Sequence, residues 1–142
     1  MIFVLHERLA ADTVRLLSLP LCELLLMNDA RYPWCILVPR VAGATEIIDL
    51  SVADQTQLQR ESVALQHALR DLYRPDKLNV AMLGNVVPQL HVHHLARFRS
   101  DATWPAPVWG RGSALPYPAA LREERASALR DAVRRRLYGT AR

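Results

Sequence analysis

The chain has 142 residues, 51% of them hydrophobic and 23% charged, with two cysteines and a formal net charge of +4. That balance supports one globular domain with its own core and excludes a disordered chain, and two cysteines are too few for a disulfide scaffold. No stretch approaches the roughly 20 apolar residues of a membrane helix, and the apolar start at 1–5 is broken at once by His6, Glu7 and Arg8, unlike a secretory leader; a reducing cytoplasm is the expected location.

Residues 1–20 read as a strand or extended arm followed by a short amphipathic stretch that ends at Pro20. The apolar run 21–27 closes at Asn28 and Asp29, and a second run, 34–38, ends at Pro39. Short apolar runs bounded by turn residues read as buried strands, and the two together make a hairpin. Cys22 and Cys35 fall on these neighbouring strands as buried free thiols.

Ser51 opens the clearest helix, with Asp54 three residues on in the place of the usual capping-box glutamate. Leu58, Leu65, Leu69 and Leu72 recur at helical spacing, His67 falls outside that stripe on the surface, and Pro75 ends the helix. Two further strands are expected over 77–83 and 90–98, followed by a proline-bearing stretch, 104–110. Pro118 then opens a second helix with Leu121, Ala128, Leu129, Val133 and Leu137 on its apolar side. Arg122, Arg125, Arg130, Arg134, Arg135, Arg136 and Arg142 crowd this last segment. They alternate with Glu123, Glu124 and Asp131 rather than with aromatic residues, so they read as a solvated helix face and not as a nucleic-acid surface. The order of elements predicts an α+β fold with a mainly antiparallel sheet, one long helix and an additional C-terminal helix.

The chemistry concentrates in one strand. Alternation places Gln89, His91 and His93 on one face, and Leu90, Val92 and His94 on the other, where Leu90 and Val92 belong to the core. Imidazoles change charge near neutral pH, so two of them on a polar face are suited to a shared substrate group. They are also suited to a metal ion, but a third protein ligand at matching spacing is missing, since His6 and His67 lie far away. The expected metal and cofactor content is therefore none.

The segment 84–95, Gly-Asn-Val-Val-Pro-Gln-Leu-His-Val-His-His-Leu, resembles the signature of the histidine-triad (HIT) superfamily, in which three histidines alternate with apolar residues after a glycine. Gln89 then takes the first histidine position, His91 the second and His93 the third. The resemblance extends through the Asn28 hairpin, the helix from Ser51 and Trp104-Pro105. It implies a HIT-like domain over 1–110 and a C-terminal helical extension over 111–142 packed on the same domain. It also implies a nucleotide hydrolase or transferase in which His91 attacks the α-phosphate of a nucleoside phosphate conjugate. The resulting nucleotidyl-histidine is resolved by water.

In that scheme Gln89, His91 and His93 are the catalytic trio, with His93 on the phosphate oxygens. Asn85 lies near the phosphates and Asn28 meets the ribose. The implied partners are a nucleotide or nucleotide conjugate and a second copy of the chain, with no membrane. Segment 104–109 and the last helix are candidate surfaces for that homodimer. Two departures stand out. Gln89 hydrogen-bonds but does not titrate, and Val86 lacks the hydroxyl that Ser or Thr supplies in many relatives. They leave two other readings open: a non-catalytic nucleotide-binding or regulatory protein, and a metal-dependent enzyme using His91 and His93.

Overall fold

Strand β3 (Trp34–Pro39) is apolar and buried along its whole length, as a strand covered on both faces must be. It lies at the centre of the sheet in the computed structural model, which describes residues 1–139. Around it run α1 (Glu7–Asp12), β1 (Thr13–Ser18), β2 (Cys22–Met27), α2 (Val52–Tyr73), β4 (Lys77–Ala81), β5 (Val92–Arg97) and α3 (Ala119–Tyr138). Among the described residues the five strands form one antiparallel sheet in the order β1-β2-β3-β5-β4. This is the expected α+β architecture, with the 21–39 hairpin as β2 and β3. No helix among the described residues is long and apolar enough to cross a membrane.

Alternation along the strands gives the sheet two distinct faces. Leu24, Leu26, Cys35, Leu37 and Val92 point towards α2 and α3, where they meet Leu58, Leu65, Leu69, Leu129 and Val133. Leu25, Trp34, Ile36, Val38 and Leu95 point the other way, against Leu9, Tyr32, Val87 and Val108. The N-terminal arm, α1 and the chain beyond β5 cover this second face. Both cysteines are buried and free, and burial pushes the Cys35 thiol up to about 12.

Several expectations are corrected. The amphipathic stretch is α1 followed by strand β1, which pairs with β2 through a register shift between Arg15 and Leu17. As an edge strand carrying Thr13, Arg15 and Ser18, β1 has only a weak apolar pattern. Strand β4 stops at Ala81, and β5 begins at Val92, because Leu90 N–H leaves the ladder to bond Ala44 O at 3.0 Å. Ser51 Oγ accepts from Asp54 N–H at 3.1 Å, while the reciprocal capping box forms instead between Glu46 and Asp49. Leu72 and Leu121 are exposed, whereas Leu58, Leu65, Leu69, Leu129 and Val133 are buried as expected and are joined there by Ala64, Ala68, Ala126 and Ala132. The basic face of α3 is partly structural. Arg125 donates to Tyr117 Oη, Arg130 to Leu16 O and Arg136 to Asp71; Arg142 lies outside the described residues.

One buried charge couples helix to sheet. Glu61, on α2 and without solvent exposure, accepts from the backbone N–H of Leu21 and Cys22 at 2.9 and 2.8 Å and from Gln57 Nε2. Glu61→Ala strips two buried donors of their acceptor and is expected to lower stability by about 2–4 kcal/mol. Glu61→Gln, which keeps one acceptor oxygen, is expected to lose less. Urea denaturation of the three proteins checks this, and a cost below about 0.5 kcal/mol for the alanine variant, the range of neutral surface changes, contradicts it.

Candidate functional site

The register of β3 against β5 sets Ile36 opposite His93 and Trp34 opposite Leu95. Trp34 and His93 therefore lie on the same face of adjacent strands, and Trp34 Nε1 reaches His93 Nδ1 at 3.0 Å. An indole N–H can only donate, so Nδ1 of His93 is bare and its ring proton sits on Nε2. His93 is 5% exposed. Burial first, then the neighbouring His91 and His94, push its pKa down to about 3, so it remains a neutral donor.

His91 carries its proton on the opposite nitrogen. Its Nδ1 lies 2.6 Å from the backbone carbonyl oxygen of Gln89. A carbonyl can only accept, so Nδ1 carries a proton, and in the neutral form of the ring the lone pair lies on Nε2. The two rings meet edge to face with centroids 4.9 Å apart. Trp109 also meets His93 edge to face, with ring centroids 5.0 Å apart. The site thus holds two neighbouring imidazoles of opposite tautomer, His91 with its proton on Nδ1 and His93 with its proton on Nε2.

A cleft of about 310 Å³ runs past both histidines, between Arg8, Leu9 and Asp12 of α1, Met27, Trp109 and the loop 83–87. A left-handed glycine, Gly84 at φ +79°, turns the chain from β4 into that loop. Asn85 lies in the cleft wall and Val86, 71% exposed, offers it no hydroxyl. A second groove, of about 430 Å³, flanks His91 on the side of residues 45–48 and Gln89.

The structure brings His91, His93 and Asn85 to one cleft; the other two candidates are used differently. Asn28 opens onto an adjoining pocket that shares Asp12, Met27, Trp34 and Trp109 with the cleft, and its Oδ1 accepts from Tyr117 N–H at 3.0 Å. Gln89 precedes β5, and its side-chain amide turns to the N-terminal arm: Oε1 accepts from His6 N–H at 2.8 Å and Nε2 donates to Val4 O at 2.9 Å. His94 faces away and is fully buried. Its Nδ1 donates to Val92 O, so Nε2 accepts from Ser62 Oγ at 2.7 Å. Sequence reasoning missed Trp34, Trp109 and the three α1 residues. An indole on the strand next to a histidine strand is the one signal that pointed to any of them.

Two ion pairs hold the wall that carries Trp109. Arg97, 1% exposed, binds Asp101 at 2.7 Å and also donates to Asn79 and Ala106 O. Asp29 is gripped by Arg31 and by Leu115 N–H. Burial opposes its charge, but these hydrogen bonds prevail and hold its carboxyl below the ordinary range. Among the described residues no group of three or more His, Cys, Asp or Glu side chains gathers where a metal ion fits.

A family described as HIT domain matches residues 8–100. The chain is similar to a histidine triad protein from Bradyrhizobium japonicum, at 47% identity over 94% of this chain and 99% of that one, with a TM-score of 0.92. It is equally similar, at 47% identity and a TM-score of 0.92, to a histidine triad protein from Marinobacter aquaeolei, over 95% and 98% of the two chains. A histidine triad protein from Sinorhizobium meliloti aligns at 42% identity over 89% and 94%, with a TM-score of 0.88. No curated protein matches the chain.

The buried imidazoles set a pH signature. His93 and His94 protonate at about 3 and about 4 in the folded chain, against an ordinary 6.5. Between those values the unfolded chain binds more protons, so this contribution to stability is complete above pH 6.5 and falls as pH drops towards 4. Urea midpoints at pH 7, 6 and 5 are expected to fall steadily, with an uptake on unfolding approaching about two protons. His94→Gln, which keeps a partner for Ser62, is expected to remove about one of them. A flat profile contradicts this reading.

Proposed function

This chain belongs to the HIT domain family, and we propose that it is a nucleotide-binding hydrolase or transferase acting at the α-phosphate of a nucleoside phosphate conjugate. The observation that carries the reading is the pair of opposite tautomers. The lone pair on His91 Nε2 attacks phosphorus, the bond to the leaving group breaks, and a nucleotidyl group is left on His91. Water then attacks the same phosphorus, releases the nucleotide and restores the neutral ring.

The His93 ring lies 4.9 Å from that of His91, centroid to centroid, and its Nε2–H donates to a non-bridging phosphate oxygen. Because burial keeps His93 neutral, it acts as a fixed dipole rather than as an acid, and positioning with charge stabilisation is what phosphoryl transfer chiefly requires. Asn85 adds a polar contact to the phosphates. The nucleoside lies against Leu9, Met27 and Trp109. Asn28, its oxygen already held by Tyr117, has its amide N–H left to donate to a ribose hydroxyl.

A non-catalytic nucleotide-binding role is the second reading, and one observation favours it. Gln89 is engaged with the N-terminal arm and Val86 has no hydroxyl, so neither position delivers a proton to the leaving group. Adenosine and guanosine phosphoramidates separate the readings. The wild type is expected to release nucleoside monophosphate and, when quenched early, to show a mass increase of one nucleotidyl group. His91→Ala is expected to show neither. Trp34→Phe, which frees the tautomer of His93, is expected to lower kcat on the order of tenfold. Tight binding of a nucleoside monophosphate without turnover establishes the second reading, and turnover by His91→Ala equal to wild type refutes the first.

A further inference from the structure

The geometry points to Gln89 as a positioning residue whose side-chain amide clamps the N-terminal arm and thereby sets α1 as one wall of the nucleotide cleft. The inference rests on the proposed nucleotide site and adds how this chain builds one side of it.

Val4 C=O and His6 N–H flank one residue of an extended segment, so they point the same way. A strand neighbour meets such a pair with its own N–H and C=O. A primary carboxamide carries a donor and an acceptor side by side and does the same with one side chain: Gln89 Nε2 to Val4 O at 2.9 Å, and His6 N to Gln89 Oε1 at 2.8 Å. The clamp joins residues 83 and 85 positions apart in the chain. Glutamate lacks the donor, and the two nitrogens of an imidazole diverge, so neither serves both bonds.

From the clamp the connection to the cleft is short. His6, whose backbone Gln89 holds, is also the residue that starts α1: its Nδ1 accepts from Arg8 N–H and its carbonyl from Ala10 N–H. One turn on, Arg8, Leu9 and Asp12 line the cleft opposite the loop 83–87. Leu9 is buried in the core, while Arg8 and Asp12 pair loosely at 3.7 Å with both side chains largely exposed. The guanidinium of Arg8 is thus free to meet an anionic substrate group at the mouth of the cleft.

Gln89 therefore serves the site through two separate atom sets. Its backbone carbonyl fixes the His91 tautomer, and its side chain fixes the arm. A side-chain substitution leaves the first in place and removes the second, so it weakens substrate capture far more than the chemical step.

Two measurements on full-length Gln89→Leu test this. The first is amide hydrogen exchange. The His6 N–H is expected to be protected in the wild type and to exchange at least about tenfold faster in Gln89→Leu, with the β2 and β3 amides unchanged. The second is a double-mutant cycle with Arg8→Ala on KM and kcat for a nucleoside phosphoramidate. Each single substitution is expected to raise KM several-fold with kcat within about twofold, and Arg8→Ala is expected to add little in the Gln89→Leu background. Unchanged exchange at His6 overturns the clamp, and so does an undiminished Arg8→Ala effect in the double variant. If the wild type shows no turnover, the same cycle is read on the Kd for a nucleoside monophosphate. A wild type that neither binds nor turns over nucleotide refutes the proposed function, while the exchange at His6 still decides the clamp.

Discussion

The proton on each imidazole of the cleft is placed by a partner with no choice of its own. The Trp34 indole can only donate and the Gln89 carbonyl can only accept, so His93 and His91 are locked into opposite tautomers. Exchange either partner for a group that both donates and accepts, and the neutral rings are free to redistribute their protons. The chemical character of the site, a bare nitrogen 4.9 Å in ring separation from a protected donor, depends on that constraint. The rest of the fold serves to deliver those two partners.

Delivery begins with the sheet. Strand β3 pairs with β5 in a register that brings Trp34 and His93 onto one face, and the opposite face is closed by α2 and α3, where His94 is satisfied by Ser62 and Val92. Adjacent histidines thus receive opposite environments from alternation alone. The second face is roofed by parts of the chain that have little regular structure, and these are held by buried polar anchors. Arg97 and Asp101 fasten the chain after β5, and Asp29 fastens the segment beyond Trp109. Both anchors satisfy several groups at once, the condition under which a buried charge is tolerated; removing one partner leaves an unpaired charge in low dielectric.

Much of this was legible in the sequence because burial imposes a period. The hairpin of β2 and β3, the helix from Ser51 and the faces of the histidine strand all follow from apolar spacing, and His94 was correctly set apart from His91 and His93. Edge strand β1 was not legible, since pairing on one side leaves polar residues in the pattern. Nor was the departure of Leu90 from the ladder, which answers to the Ala44 carbonyl far away in the chain. The apolar side of α3 was legible at Leu129 and Val133 but not at its start, where Leu121 is exposed while Ala126 and Ala132 are buried. The work done by Gln89, Asn28, Trp34 and α1 depends on contacts between residues scores of positions apart, and no local spacing encodes those.

The central claim is the pair of opposite tautomers, and long-range proton–nitrogen NMR correlation of the histidine rings near pH 7 tests it most directly. The account predicts that His91 shows a protonated Nδ1 and a bare Nε2, and that His93 shows a bare Nδ1 and a protonated Nε2 and stays neutral on titration down to pH 5. A His91 ring protonated at Nε2, or a His93 ring that gains a second proton near pH 6.5, contradicts it.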